Sequence, residues 1–363
     1  MSTNGAALAA ITGIGPVSRL GIGAAQLAAS APSGTLAADA DADAGAADAG
    51  AGILELETFD PAEHLGKRGW KFLPPVTRAA LVAVRLALAD AGELPPREAE
   101  RLGVVVGTNF AVSEIVERID RALLTNGISG ISAVECPNFS LNVPASQISV
   151  AHGMKAFNVT LSNLFSAGYE AVLLGGRALR SGRADAVLAG AIEGRPPAAL
   201  HTVAGPAVDA LGACLLHLET PRAAEERGAR VYGWLSGGVR RVLPDEPGHG
   251  RRTVFAALDA LGAVPPATVH LCLPVGTAQP AARRVEEDCR QWAERAGAEV
   301  TTTWGSPQAT VTSVLAMARH LLRAPVAAGG AAPRTAGGDA AFGVLGPQGH
   351  LVLLRVAAPG DPA

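Results

Sequence analysis

Residues 158–190 read NVTLSNLFSAGYEAVLLGGRALRSGRADAVLAG, and this stretch decides the fold. A strand-like run opens it, and an alanine-rich segment with helical spacing of apolar residues, Ala167–Gly182, follows. Ala186–Ala189 is then a continuous apolar run that ends at Gly190, which is typical of a strand buried on both faces. Strand, helix and strand in this order predict a parallel sheet with helices covering both sides.

The same alternation continues along the rest of the chain. Further strands are predicted at Ala7–Ile14, Leu102–Val106, Ala207–Leu218, Arg230–Val239, Val269–Leu273 and Leu351–Val356. Further helices are predicted at Ile22–Ala29, Pro75–Ala91, Ser113–Leu124, Thr253–Leu261, Ala281–Ala296 and Val311–Leu322. Residues 31–52 and 325–341 have little to bury and predict loops. We expect an α/β protein of two related halves, residues 1–245 and 246–363.

Composition excludes several classes of function. Aromatic residues are only 4% of the chain, so we expect small side chains and closely approaching elements in the core. A net charge of -3 without a basic tract argues against nucleic acid and anionic lipid as partners. No apolar run of about 18 residues predicts a membrane span, and the N-terminus lacks the basic start of a secretory signal. We therefore expect a cytoplasmic protein.

Cysteine and histidine spacing predicts no metal site. Cys136, Cys214, Cys272 and Cys289 are widely separated and match neither a zinc pattern nor a disulfide framework. We expect these thiols to be reduced and mostly buried.

The turn between the strand-like run and the helix at Ala167 is where a nucleophile is expected. Its tip is Phe165, whose side chain can neither attack a carbonyl nor hold a thioester. Ser162 and Ser166 lie beside it, but a serine nucleophile needs a neighbouring base. The sequence therefore indicates an enzyme scaffold from which the reactive group is missing.

Taken in order, several segments resemble the thiolase-fold β-ketoacyl synthases. The resemblance is carried by ITGIGPVS at 11–18, TRAAL at 77–81, RLGVVVGT at 101–108, QIS and HGMK at 147–149 and 152–155, and AFGVLG at 341–346. The last segment resembles the loop before the family's final strand. The resemblance implies a thiolase-like fold with α-β-α-β-α layers and covers nearly the whole chain.

Members of that family condense acyl chains with a cysteine at a helix N-terminus and two histidines. The resemblance places Phe165 at the cysteine position and Val275 at the first histidine position. The region of the second histidine reads TWGSPQ, so Gly305 and Ser306 occupy it without an imidazole. The chain is also shorter than is usual for the family between Arg195 and Gly205. All three reactive groups are thus absent under this resemblance.

Among members of the family, the chain resembles the catalytically silent chain-length factors of type II polyketide synthases. This implies a heterodimer with an active ketosynthase, and a growing polyketide, perhaps of the reduced polyene type, carried by an acyl carrier protein. It implies no cofactor beyond the phosphopantetheine arm that the carrier brings.

The resemblance also implies residues that line the tunnel or the subunit interface. Ser113, Val116 and Asp120 lie at spacings of three and four on the predicted interface helix. Small residues at the first two positions would leave the tunnel deep. Cys136 and Phe139 lie in a segment that resembles the loop crossing the interface.

Two alternatives stay open at this point. One is an independent acyltransferase or condensing enzyme with a relocated nucleophile, at Cys136 or Ser166. The other is a scaffold homologue that self-associates without a ketosynthase.

Overall fold

A computed structural model of the chain describes residues 7–30, 59–133, 136–196, 211–244, 248–305, 308–323 and 338–359. Several predictions fall outside these residues: the loop at 31–52, most of the loop at 325–341, most of the shortened stretch after Arg195, and the boundary between the halves after residue 245. That boundary stays a prediction.

The strands of the described residues agree with most predicted positions. They are β1 Ala9–Ser18, β2 Gly21–Ile22, β3 Leu102–Gly107, β4 Phe157–Leu161, β5 Ala186–Glu193, β6 Gly212–Glu219, β7 Gly233–Val242, β8 Thr268–Leu273, β9 Glu299–Trp304, β10 Ala340–Leu345 and β11 His350–Ala357. The helices are α1 Ala24–Ala29, α2 Ala62–Leu65, α3 Pro75–Asp90, α4 Ser113–Asn126, α5 Val143–His152, α6 Ala167–Arg180, α7 Pro221–Glu226, α8 His249–Asp259, α9 Gln279–Ala296 and α10 Thr310–Arg323.

Hydrogen bonds join the strands into one mixed sheet with the order β4-β3-β5-β6-β1-β7-β11-β10-β8-β9, and β2 pairs with β1. Outwards from the centre, β1, β6, β5, β3 and β4 are matched by β7, β11, β10, β8 and β9. Corresponding pairs also have the same direction: the inner pairs are antiparallel and the outer pairs are parallel. This repeated order confirms the prediction of two related halves.

The prediction of an entirely parallel sheet is wrong at the centre of the molecule. β1 pairs with both β6 and β7 in the antiparallel sense. All ten residues of β1 and all eight residues of β6 are buried, so these strands are as apolar as the parallel ones. Direction therefore leaves no mark on their residue pattern, because covering both faces demands the same side chains in either case.

Helices cover the sheet in layers. α3 and α5 pack with β3, β5 and β6 on one outer side, and α8 and α9 pack with β8, β10 and β11 on the other. α6 and α10 lie between the two halves and contribute to one central hydrophobic cluster. The α-β-α-β-α arrangement is thereby confirmed.

Small residues let these layers approach closely, as the composition predicts. A Cβ atom on Gly15 of β1 would lie 1.9 Å from the carbonyl oxygen of Ala83 in α3. Only glycine fits at this crossing, because a contact of that length is far inside van der Waals separation.

One predicted loop is a strand instead. The segment AFGVLG at 341–346 lies almost entirely in β10, which pairs with β8 on one side and β11 on the other. Every residue of β10 is buried, so a solvated loop could not satisfy its backbone groups here.

Candidate functional site

The turn at Phe165 joins the end of β4 to the start of α6. Phe165 has a backbone φ of 68°, although left-handed conformations are unfavourable for bulky residues. Its side chain is 1% exposed and belongs to the central hydrophobic cluster. Such backbone strain persists only where the surrounding structure fixes the conformation.

Thr310, at the start of α10, fixes this turn from the second half of the chain. Its hydroxyl donates to the carbonyl oxygen of Phe165 at 3.2 Å and accepts from the amide of Gly168 at 2.6 Å. The preceding residue, Ala309, also has a positive φ of 43°. Two strained turns, one from each half, are therefore connected through a single hydroxyl group.

The N-termini of α6 and α10 are in close contact. A Cβ atom on Gly168 would lie 2.7 Å from Cγ2 of Val314 and 2.8 Å from the carbonyl oxygen of Thr310. On the other side, a Cβ atom on Gly107 of β3 would lie 2.3 Å from the backbone of Ala167. The turn is thus held rigidly between strand and helix.

Ser166 serves to cap α6 rather than to attack a substrate. It is fully buried, and its hydroxyl donates to Oε1 of Glu170 at 2.9 Å. Asn163 donates to the same oxygen at 2.6 Å, and Arg240 donates to Oε2 at 2.9 Å. A carboxylate in the first turn also interacts favourably with the helix dipole. The Ser166 proton is therefore committed to a structural ion pair.

A second buried carboxylate, Glu193 at the end of β5, orders the loop between β3 and α4. It accepts from the amides of Phe110 at 2.6 Å and Asn109 at 3.0 Å and from the hydroxyl of Thr108 at 3.1 Å. Ser162 donates to Oδ1 of Asn109 at 3.2 Å, which connects this loop to the Phe165 turn. Burial raises the pKa of Glu193 to about 7, against the opposing effect of these donors.

The described thiols are poorly suited to nucleophilic attack. Cys214, Cys272 and Cys289 are free and buried, as predicted. Burial raises the pKa of Cys272 and of Cys289 to about 12, and it raises the pKa of Cys214 further still. Since the thiolate is the reactive form, these groups stay inert near neutral pH. Cys136 begins a short 3-10 turn, Cys136–Asn138, and its side chain is outside the described part.

The other positions expected to carry histidines follow two neighbouring strands. Val275, after β8, is half-buried and Gly305, after β9, is buried; the amide of Gly305 donates to the carbonyl oxygen of Leu273 at 3.0 Å. Ser306 lies outside the described residues. The first residues of α10 follow shortly after Gly305, and Thr310 there contacts Phe165. The carboxyl ends of parallel strands from both halves thus meet near the turn, but Phe165, Val275 and Gly305 offer no nucleophile, base or oxyanion-binding side chain.

α4 presents an apolar face to solvent. Ile115 is its buried residue, whereas Ser113 is half-buried and Val116 and Asp120 are exposed. Leu123, Leu124 and, just beyond the helix, Ile128 are also exposed, the last two at 87% and 84%. We call Val116, Leu123, Leu124 and Ile128 the α4 apolar surface.

Phe139, in the predicted interface loop, is likewise 56% exposed. A concentration of exposed apolar side chains marks an interaction surface. Asp120 faces solvent, so its carboxylate carries no burial cost in the isolated chain.

Sequence reasoning missed several residues of this site. Leu123 and Leu124 recur with Val116 at helical spacings of seven and eight, and that signal could have identified them. Thr310 and Glu193 had no signal, because their partners lie 145 and 83 residues away along the chain.

Two searches of the described residues gave negative results. No three or more histidine, cysteine, aspartate or glutamate side chains are grouped as a metal site requires. No helix in the described ranges is long and apolar enough to cross a membrane.

Comparison with known proteins identifies a family match over half of the chain. Residues 25–207 match the family described as Beta-ketoacyl synthase, N-terminal domain. The 3-oxoacyl-[acyl-carrier-protein] synthase 2 of Vibrio cholerae is 24% identical over 298 residues, covering 73% of this chain and 70% of that protein. The tetracenomycin polyketide synthase ketoacyl synthase beta subunit of Streptomyces glaucescens is 29% identical over 224 residues, covering 55% of this chain and 54% of that protein.

Solved structures share the fold over nearly the full length. A type II PKS acyl-carrier protein in complex with its ketosynthase bound to the hexaketide includes a chain that superposes with a TM-score of 0.73 at 18% identity, covering 98% of this chain and 99% of that one. The ishigamide ketosynthase/chain length factor gives a TM-score of 0.68 at 23% identity, covering 97% and 99%. At these identities the likeness establishes the thiolase-like architecture.

Proposed function

This chain belongs to the β-ketoacyl synthase family, and from that premise we propose that it is a chain-length factor, a subunit without condensing activity that pairs with an active ketosynthase. One observation carries the proposal. The strand, strained turn and helix that would present a nucleophile are all in place, and the residue at the tip is the buried Phe165.

The chemistry of the surrounding residues supports a non-catalytic role. A condensing enzyme needs a thiolate stabilised at a helix N-terminus and an imidazole to assist it. Here Phe165, Val275 and Gly305 supply neither group. The described thiols are buried in the core with raised pKa values, and the Ser166 hydroxyl is bound to Glu170.

The similar proteins support the polyketide setting. The relative from Streptomyces glaucescens is a ketoacyl synthase beta subunit of a polyketide synthase. The two solved structures contain a ketosynthase with a chain-length factor and a ketosynthase with its acyl-carrier protein. We infer that the partners of this chain are an active ketosynthase and, through the pair, an acyl carrier protein with its phosphopantetheine arm. The chain itself then needs no cofactor.

The α4 apolar surface supports pairing through this helix. Burying a leucine or isoleucine side chain contributes about 1.5–3 kcal/mol, so four such groups can stabilise an interface substantially. Ser113 and Val116 lie on this helix, and we infer that they form part of the tunnel wall in the complex. Their small size leaves room for a longer chain.

The first experiment is co-expression with a candidate ketosynthase followed by an assay with malonyl-loaded carrier protein. We expect the pair to co-purify and to condense, and we expect activity to disappear when the partner's nucleophilic cysteine is replaced. The isolated chain should be inactive, and Phe165→Cys should leave it inactive because no imidazole is supplied. Condensation by the isolated wild-type chain would refute the proposal.

The same experiment separates the two alternatives. A relocated nucleophile predicts activity of the chain alone that is lost in Cys136→Ala or Ser166→Ala. A self-associating scaffold predicts a homodimer that does not exchange for a heterodimer when the ketosynthase is added. Size measurement by light scattering distinguishes these cases.

A further inference from the structure

A cavity of about 160 Å³ lies far from the Phe165 turn. It is lined by the first residues of β5, Ala186–Leu188, and by Leu102 at the start of β3. The turn follows the opposite, carboxyl end of these parallel strands. The cavity therefore cannot belong to the site described above.

The lining of the cavity is apolar except at three side chains. Leu88, Leu94, Met154 and Val187 contribute to the apolar wall. The polar lining residues are Arg97, His152 and His217. Of these, His217 is only 3% exposed, so its ring is a buried polar group beside an open space.

The hydrogen bonds of His217 fix its tautomer. Its Nδ1 lies 2.8 Å from the hydroxyl of Thr12, and that hydroxyl donates its single proton to Oε1 of Glu219 at 2.8 Å. The hydroxyl can therefore only accept from the ring, so Nδ1 carries the proton and Nε2 carries a lone pair. Because Nδ1 faces Thr12, the opposite ring edge with Nε2 faces the cavity.

Glu219 is ionised and so remains an acceptor for Thr12. Burial would raise the pKa of Glu219, but donors from Arg227 and Thr12, with the nearby His217, hold that pKa below its ordinary value. Arg227 donates to Oε1 at 2.6 Å and Arg97 donates to Oε2 at 2.7 Å. Burial lowers the pKa of His217 to about 4, so the ring is neutral at pH 7.

Charge and hydrogen bonding together select the ligand class. Two guanidinium groups, of Arg97 and Arg227, surround one carboxylate, and this excess positive charge disfavours a cationic ligand. The Nε2 lone pair disfavours a carboxylate, which brings only acceptors. A neutral molecule with one O–H donor and an apolar body satisfies both conditions.

Volume sets the size of the ligand. An engineered apolar cavity of about 150 Å³ in another protein binds benzene, so the space here suits a molecule of about seven heavy atoms. We propose that this cavity binds a small neutral phenol or alcohol, with its apolar body against Leu188 and Met154 and its hydroxyl donating to Nε2 of His217.

The test compares phenol with toluene, which has the same shape and no donor. Binding to the full-length chain, in its complex if it requires one, is measured at pH 7.5 by calorimetry and by NMR of ¹⁵N-labelled histidine. We expect saturable binding of phenol in the millimolar range, about fivefold tighter than toluene, the effect of one hydrogen bond worth about 1 kcal/mol. The Nε2 resonance of His217 should shift with phenol and not with toluene.

Two variants complete the design. In His217→Leu the preference for phenol over toluene should disappear while toluene still binds. In Ala186→Leu, where a larger side chain fills the cavity, both ligands should lose binding. If a variant fails to fold, the histidine resonance of the wild-type chain still decides. Equal affinities for phenol and toluene, no saturable binding of either, or unchanged binding in Ala186→Leu would overturn the proposal.

Discussion

Replacing Phe165 by alanine and by glycine separates the two roles that the structure assigns to this residue. Phe165 fills core volume, and it holds a left-handed backbone conformation with φ of 68°. Removing a buried phenylalanine side chain costs about 3–5 kcal/mol of unfolding free energy, since a cavity is left. Phe165→Ala should show that loss, because alanine keeps the Cβ atom and so keeps the strain.

Phe165→Gly relieves the strain while leaving the same cavity. The left-handed conformation costs an L-residue about 1–2 kcal/mol, which glycine does not incur. Glycine loses about 0.5–1 kcal/mol relative to alanine through the greater freedom of its unfolded chain. We therefore expect the glycine variant to equal the alanine variant or to exceed it by about 1 kcal/mol.

Phe342 provides the matched control. It is fully buried in β10, and its φ is not in the left-handed region. There the glycine variant should be less stable than the alanine variant by about 1 kcal/mol. Urea unfolding at 25 °C, followed by tryptophan fluorescence, measures all four variants. If glycine is as unfavourable relative to alanine at 165 as at 342, the strained turn is not a feature of the folded protein.

Three further predictions concern the buried carboxylate, the proposed interface and the tunnel. Below pH 4.5 Glu193 is protonated whether the chain is folded or unfolded, and as pH rises through 7 the folded chain loses stability by keeping this proton longer, so Glu193→Gln should gain about 3 kcal/mol relative to wild type between pH 4.5 and 8 in urea titrations. A pH-independent difference would contradict the raised pKa. Leu124→Asp should abolish co-purification with the ketosynthase while changing the stability of the isolated chain by less than about 0.5 kcal/mol, whereas Val264→Asp, at another exposed apolar position, should leave the pair intact. Retained pairing in Leu124→Asp would exclude this helix from the interface. Ser113→Phe should shorten the polyketide made by an intact pair, as read by mass spectrometry; an unchanged product length would remove this residue from the tunnel wall.

Particular residues show how far the sequence could be interpreted. The apolar runs of β3, β5 and β8 and the periodic helices α3, α6, α9 and α10 were predicted close to their observed bounds, because burial and helical spacing are local properties of the chain. The missing reactive groups were equally visible, since an absent side chain needs no structure to detect. Phe165 could thus be identified as non-catalytic before its surroundings were known.

The surroundings themselves could not be predicted. The bond from Thr310 to Phe165 and the donors around Glu193 join residues far apart in sequence, and no local pattern encodes such meetings. An apolar helix face such as that of α4 looks the same in sequence whether it meets the core or a partner, so only the fold showed that it meets solvent.

The sequence by itself determined where strands and helices form, that two halves repeat, and that the nucleophile position lacks reactive chemistry. The tertiary structure alone decided the direction of the central strands, the strained conformation of Phe165, and the presence of a cavity beside His217. The physical reason is that periodicity and residue chemistry act over a few neighbouring residues. Strand direction, strain and cavities arise only when segments from both halves compete for the same space.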